Sequence, residues 1–222
     1  MQRLDLSTSP LRQVNAALQA ARGAAAFEVA NPGGRHAIAV GLTAPVEVKV
    51  AGPAGYYCAG MNSLATVRIA GNAGPGVAEN MMSGTVIVEG DASQYAGATG
   101  RGGLLLIRGN ASSRCGISMK GIDIVVGGRI GHMGAFMGQA GRLVVCGDAG
   151  DALGDSLYEA EIFVGGKVGS LGADCEEKEM DAASLRWLTG QLETCFMDAD
   201  PTRFRRFGSA RRLYNFEPDD AY

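Results

Sequence analysis

Histidine and cysteine are the side chains that most often carry nucleophilic or metal chemistry, and this sequence holds few of them. The two histidines are His36 and His132, the latter within Gly131-His132-Met133-Gly134. The five cysteines are scattered, and no two form a C-x-x-C pair: Cys58, Cys115, Cys146, Cys175 and Cys195. An odd number of widely spaced cysteines is typical of free thiols in a reducing compartment.

The carboxylates and glycines form no recognisable active-site pattern either. Carbohydrate-cleaving β-helices cluster several acids across adjacent coils, whereas the aspartates here are dispersed: Asp91, Asp123, Asp148, Asp151 and Asp155. Paired glycines such as Gly127-Gly128 follow apolar runs, but no G-x-G-x-x-G opens a helix, so a dinucleotide site is excluded. We therefore predict no catalytic, cofactor-binding or metal-binding residue in this chain, which makes it a scaffold.

Composition excludes several classes of protein. The chain has 222 residues, 46% of them hydrophobic, and a net charge of -3. A folded core is therefore expected, and binding to nucleic acid by phosphate neutralisation is not. We find no signal peptide and no apolar run long enough to span a bilayer, so we expect a cytoplasmic protein without a membrane partner.

The elements that position every side chain are set by a glycine that returns every 19 residues. Eight positions carry it without an insertion: Gly33, Gly52, Gly71, Gly90, Gly109, Gly128, Gly147 and Gly166. Turn-forming residues often follow, such as Asn72, Asp91, Asn110 and Asp148. Because Gly, Asn and Asp tolerate a left-handed backbone, we expect each glycine to close a coil in that conformation.

Aliphatic residues precede each glycine by two and by four positions, as in Val67-Arg68-Ile69 and Ile124-Val125-Val126. Alternate residues of a strand share a face, so these two columns form continuous interior ladders when equivalent residues stack. The period predicts an all-β, single-stranded, right-handed parallel β-helix with coils of about 19 residues. A left-handed β-helix needs a multiple of six, a calcium roll needs G-G-x-G-x-D, and a sandwich or propeller needs variable hairpins.

The residue between the two ladders changes along the chain. It is charged in early coils, at Lys49 and Arg68, and apolar in five later ones: Ile87, Leu106, Val125, Val144 and Phe163. An exposed apolar strip of that size marks an interface. The alternative, which the sequence leaves equally open, is that the C-terminal segment of the chain covers the strip.

Segments 1–24 and 173–222 flank the repeat, which fills residues 25–172. Periodic apolar residues predict a capping helix from about Ser9 to Arg22 and a second helix from Met180 to Phe196. Cys175 to Glu179 reads as a charged break, and the arginine- and aromatic-rich tail after Asp200-Pro201 reads as an extended arm. Methionines on one arc of the coil indicate core filling or a partner surface: Met61, Met81, Met82, Met119, Met133 and Met137.

The coil between Ala25 and Gly172 resembles the C-terminal G-x-G-x-G domain of the large subunit of glutamate synthase. The residues that carry the resemblance are Gly71-Asn72-Ala73-Gly74, Gly90-Asp91, Gly109-Asn110, Gly128-Arg129-Ile130-Gly131 and Gly147-Asp148-Ala149-Gly150-Asp151. Standing alone with its own end segments, the chain is most similar to the β-helix subunit of N-methylglutamate synthase.

That resemblance implies a hetero-oligomer with an amidotransferase-like subunit and an FMN-binding, glutamate-synthase-like subunit. FMN is expected in the partner, with an iron–sulfur cluster beside it as an open addition, and no cofactor is expected in this chain. The β-helix subunit of a split glutamate synthase, or that of formylmethanofuran dehydrogenase, remains a second option. A free-standing β-helix hydrolase or lyase is the option from another class, and the missing acid cluster opposes it.

Overall fold

Residues 1–210 are described by the computed structural model, and their strands form one sheet. The strands are β1 Gln2–Asp5, β2 Ala26–Ala30, β3 Glu47–Val50, β4 Thr66–Ile69, β5 Thr85–Val88, β6 Leu104–Ile107, β7 Lys120–Val126, β8 Ala140–Val145, β9 Glu161–Val164, β10 Cys175–Lys178 and β11 Arg205–Ser209. Strands β1 to β9 lie side by side in chain order, followed by β11 and then β10. The helices are α1 Leu11–Gln19 and α2 Ala182–Thr194, with a 3₁₀ turn at Pro201–Arg203.

The strand register reproduces the sequence period. Val48 pairs in parallel with Val67, Val67 with Val86, and Val86 with Leu105, so each partner lies one 19-residue coil further along. A second parallel ladder links successive coils through single-residue bridges, two residues after each glycine. Its members are Ala54, Ala73, Ala92, Ala111, Ile130, Ala149 and Val168. The fold is the predicted parallel β-solenoid, with about seven turns of about 19 residues.

The two aliphatic columns fill the interior, as their spacing predicts. Val67, Ile69, Leu105 and Leu143 are all 0% exposed. Each fully buried aliphatic side chain stabilises the fold by roughly 1.5–3 kcal/mol relative to exposure. The core is therefore a continuous column held by stacking.

The repeating glycine is required for a different reason from the one we expected. Only Gly33 and Gly52 of the eight have positive φ, at 51° and 146°. From Gly71 onward the glycines lie against the preceding coil, and their backbones bond to each other, as in Gly128 N–H to the Gly109 carbonyl (2.8 Å). A Cβ on Gly147 would lie 2.9 Å from both the carbonyl carbon and the oxygen of Gly128. The column is glycine because two backbones approach too closely for a side chain.

Left-handed backbone occurs instead on the opposite side of each coil, in a segment we call the arc. Three alternating arc residues per coil have positive φ, and most are not glycine. The middle one is small and buried: Ala39, Ala59, Ala78, Gly97, Gly116, Ala135 and Gly154. It donates its N–H to the coil before, as Ala78 does to the Cys58 carbonyl (2.9 Å). Its neighbours donate to the coil after, as Asn80 does to the Ala98 carbonyl (2.9 Å).

The N-terminal end is closed by two elements. Strand β1, which the sequence did not predict, pairs in parallel with β2 and forms the N-terminal edge of the sheet. Helix α1 covers the first arc, burying Val14 and Leu18. Asn15 in that helix donates to the Ala37 carbonyl (2.8 Å) and accepts from the Ala39 N–H (2.9 Å). The Asn15 side chain therefore bonds to backbone groups of the first coil, and the Ala39 N–H is one whose equivalents elsewhere in the stack bond to the preceding coil.

The C-terminal end differs from our expectation in two places. The charged segment we predicted to be a break forms β10, and part of the predicted arm forms β11, which is antiparallel to both β9 and β10. Both were missed because their pairing is long-range and their sequences lack a strand-like apolar alternation. The rest of the predicted arm, 211–222, lies outside the described residues.

Candidate functional site

The predicted interface strip is covered by the chain itself. Its members are Ile87, Leu106, Val125, Val144 and Phe163, and all are at most 8% exposed. They form one cluster with Leu188 and Leu192 of α2 and with Cys195 and Phe204. An exposed strip was the wrong expectation, and the alternative of cover by the C-terminal segment is what the structure has. Any surface that contacts another protein must be formed by other residues.

Charged groups hold that covering segment in place. Arg206 of β11 binds Glu161 of β9 (2.8 Å) and Asp181 (3.1 Å), the residue that caps the N-terminus of α2. Arg142 also binds Glu161 (2.9 Å), and its guanidinium lies 4.4 Å from the centroid of the Trp187 ring. These contacts join β8, β9, β11 and α2 around one carboxylate.

The other end of α2 is fixed to the turn side of the coils. Arg108 follows β6 and donates to the carbonyl of Cys195 (2.5 Å), the C-cap residue of α2. A cation at a helix C-terminus is favoured by the unpaired carbonyls and the helix dipole. Helix α2 is therefore anchored at both ends as well as by its buried leucines.

The cysteines are poor candidates for chemistry. Burial raises the pKa of Cys58 and Cys115 to about 12 and the pKa of Cys146 and Cys175 to about 11. The thiolate is the reactive and metal-binding form, so such thiols are almost fully protonated at neutral pH. Within residues 1–210, no group of three or more histidines, cysteines or acids is placed to hold a metal ion.

One column of the arc brings together residue types that we did not connect from the sequence. Ser113, His132 and Asp151 stand 19 residues apart and occupy consecutive coils, with the Met133 N–H bonded to the Asp151 carbonyl (2.8 Å). The Asp151 carboxylate accepts from the Ser170 hydroxyl (3.1 Å). Among the described residues, no side-chain hydrogen bond joins Ser113 to His132 or His132 to Asp151, whereas a nucleophile and its base need a contact of about 2.6–3.2 Å. The 19-residue period itself was the signal that identifies this column, and its geometry does not make a catalytic triad.

The polar residues after the glycines form a hydrogen-bonded ladder. Asn72 accepts from the Asp91 N–H (2.9 Å), Asp91 from the Asn110 N–H (2.7 Å), and Asn110 from the Arg129 N–H (3.0 Å). Each side chain thus ties its own coil to the next one. A shallow groove of about 590 Å³ runs along this ladder, with an alanine-rich floor. The ladder oxygens already bond to the backbone, which gives these turn residues a structural role.

A group of apolar side chains remains outside the core, at the edge of the arc in the second and third coils. Met61, Leu64 and Met82 are 46%, 54% and 47% exposed. We call these three residues the apolar corner. Other methionines of the predicted arc, Met81 and Met119, are fully buried, so the methionines divide between core and surface. Adjacent exposed apolar residues are typical of a contact surface for another protein.

The fold and this surface define a parallel β-solenoid protein with a self-covered sheet face and an exposed apolar corner. The chain is 64% identical over 222 residues to Protein GlxC of Rhizobium meliloti (strain 1021), across 98% of this chain and 97% of that protein. The chain belongs to the GlxC family. No family model matches the sequence, and no solved structure matches it. Within the described residues, no helix is long and apolar enough to cross a membrane.

Proposed function

We propose that this chain is the non-catalytic structural subunit of a glutamate-synthase-like complex. The particular complex we propose is N-methyl-L-glutamate synthase, which forms N-methyl-L-glutamate and ammonia from methylamine and L-glutamate. The observation that supports this most is the solenoid, whose strands from β3 to β9 keep the 19-residue register apart from one shift between Lys120 and Asp123. That register is the feature by which the sequence resembles the glutamate synthase domain. Membership of the GlxC family fits the same proposal.

The physical role we propose is that of a rigid spacer. Seven coils at strand spacing give a column ~34 Å long, and every coil is bonded to its neighbours through sheet, turn and arc. Such a column holds an amidotransferase-like subunit and an FMN-binding subunit in a fixed relation. The two partner subunits then need no direct contact with each other to keep a fixed distance and orientation.

Neither helix of this chain begins in a way that suits a flavin phosphate. A helix N-terminus after a glycine-rich turn is the usual cradle for a flavin phosphate. Neither α1 nor α2 follows such a turn. The N-terminus of α2 is taken by the Asp181 carboxylate, which accepts the Ser184 N–H (2.8 Å) and would repel a phosphate. The placement of FMN in the partner subunit stays a proposal that rests on the resemblance to the glutamate synthase family.

Reconstitution tests the proposal. The chain is co-expressed with the amidotransferase-like and FMN-binding glutamate-synthase-like proteins of the same organism, and the tag is placed on the flavoprotein. We expect all three chains to co-purify and to form N-methyl-L-glutamate from methylamine and L-glutamate, measured by mass spectrometry. Omitting this chain is expected to abolish the assembly and most of the activity. Assembly and activity that survive its omission would contradict the proposal.

A further inference from the structure

The apolar corner continues into a row of positive charge. Met82, Arg101 and Lys120 stand 19 residues apart, and each donates its N–H to the coil before: Met82 to the Asn62 carbonyl (2.8 Å), Arg101 to that of Met81 (2.7 Å), and Lys120 to that of Gly100 (2.7 Å). These residues therefore occupy equivalent places on three consecutive coils, ~4.8 Å apart. One edge of the arc is apolar at its N-terminal end and basic in the two coils that follow.

The two cations of this row differ from the cations on the sheet face that pair with acids. On the outer face of the sheet, Lys49 pairs with Glu28 (3.1 Å), and Arg142 and Arg206 share Glu161. Within residues 1–210, neither cation of the row forms an ion pair. Among these described residues, the row therefore carries unpaired charge next to exposed methionine and leucine.

Glu79, an acid of the arc, does not pair with the row. Glu79 lies in the third coil, and its carbonyl accepts the Met61 N–H (2.9 Å). Its carboxylate turns back over Gly76, where a Cβ on that glycine would lie 2.6 Å from Glu79 Oε2. Burial raises the pKa of this carboxyl group. The Glu79 carboxylate therefore lies over its own coil and forms no ion pair with Arg101 or Lys120.

We propose that this edge, formed by Met61, Leu64, Met82, Arg101 and Lys120, binds an acidic amphipathic segment of a partner subunit. The apolar side chains of that segment lie on the methionines and leucine, which adapt to irregular shapes, and its carboxylates lie against the two cations. This inference rests on the proposed function, because it takes the partner from the same complex. It goes further by naming the surface and the chemistry of what binds there.

A second copy of the chain fits this edge poorly. A two-fold axis parallel to the solenoid would place Arg101 and Lys120 against their own copies, which repels. A two-fold axis perpendicular to the solenoid and through the middle of the edge would place Lys120 against Met82 of the copy, so a charge would contact an apolar side chain. An isologous contact is self-complementary, and this edge is not.

The test measures binding of the purified full chain to the co-expressed partner subunits by biolayer interferometry. We expect Arg101→Glu/Lys120→Glu to weaken binding by about tenfold or more, since it removes two favourable charges and adds two unfavourable ones. Leu64→Ser/Met82→Ser should weaken it to a similar degree. Matched controls are Arg12→Glu/Arg186→Glu, with the same charge change at exposed sites on the two helices, and Met137→Ser, an exposed methionine three coils beyond Met82. Both controls should bind like the unaltered chain.

The outcomes separate the two proposals. If the unaltered chain binds neither partner subunit, the proposed function fails. If it binds and both double variants bind equally well at unchanged melting temperature, only the edge proposal is overturned. Self-association of the isolated chain that the double variants abolish would also overturn it, because the occupant would then be a second copy. Raising salt from about 0.05 M to about 0.5 M should weaken binding of the unaltered chain more than that of the charge-reversed one.

Discussion

The sheet side and the arc side of each coil repeat with the same period but are held by different physics. On the sheet side, extended β-branched residues and leucines stack in the conformation that they prefer. On the arc side, residues such as Tyr57, Ala78, Thr99 and Met133 hold left-handed backbone, which costs L-residues roughly 1–2 kcal/mol each. Stacking repays that cost, because each arc residue bonds its backbone to a neighbouring coil. The sheet side is locally favoured, and the arc is favoured only as part of a stack.

The largest test of this comparison removes a sheet-side core residue. Leu105 in β6 is fully buried, and Leu105→Ala should lower the free energy of unfolding by about 3 kcal/mol through lost burial and a residual cavity. Denaturant unfolding followed by circular dichroism measures it. A loss below about 1 kcal/mol would mean that the coils close over the cavity, and that the sheet side packs less tightly than its ladders indicate.

The turn between the two sides should respond to steric bulk. Gly147→Ala should destabilise by about 2 kcal/mol, because the new Cβ meets carbonyl atoms of Gly128 that cannot move without shifting a coil. The matched control is Gly190→Ala in α2, where nothing lies within 4 Å of the added carbon. That control should stabilise by up to about 1 kcal/mol, because alanine favours helix. Equal effects at the two glycines in thermal unfolding would sink the close-approach explanation.

Substitution by glycine should stabilise the fold at a left-handed arc position, whereas it destabilises the fold at an ordinary position. Met61 has φ of 55° and is 46% exposed, so Met61→Gly should stabilise by up to about 1 kcal/mol by relieving left-handed strain. Met82, 47% exposed, lacks positive φ, so Met82→Gly should destabilise by roughly 0.5–1 kcal/mol. The difference in melting temperature between these two variants of the isolated chain is the readout. Two changes of the same sign would contradict the strain on the arc.

The smallest effect is expected at Asp5, the last residue of β1, where the chain leaves the sheet and turns toward α1. Hydrogen bonds from Asn31 and Ser7 lower the pKa of Asp5 to about 2, against 3.8 for the free side chain. A pKa that is lower in the folded state adds stability above pH 3.8, and that stability is lost as pH falls toward 2. The melting temperature of Asp5→Asn should therefore fall less than that of the unaltered chain between about pH 5 and pH 2. Identical pH profiles would show that this carboxylate does not stabilise the cap.

The candidate contact surface was only partly open to prediction. Met61 and Met82 were visible in the sequence as members of a methionine-rich arc, whereas Leu64 was not part of that prediction. The cations Arg101 and Lys120 follow Met82 at the coil period. Which methionines face outward depended on the direction of each side chain in the folded arc. The five-residue strip from Ile87 to Phe163 misled for a related reason, since its cover by Leu188 and Leu192 is a contact between residues far apart in sequence.

The sequence by itself determined the coil. A fixed 19-residue spacing, two aliphatic columns four and two residues before a glycine, and polar turn residues admit one economical structure, because alternate residues of a strand share a face and equal coils stack in register. Tertiary structure alone decided what each repeated residue does. Gly109 and Gly147 are glycines because a neighbouring coil approaches them, and Ala78 and Met61 are left-handed because neighbouring coils accept their hydrogen bonds. Neither reason lies within the local sequence, since both arise from backbone that is 19 residues away along the chain and one coil away in space.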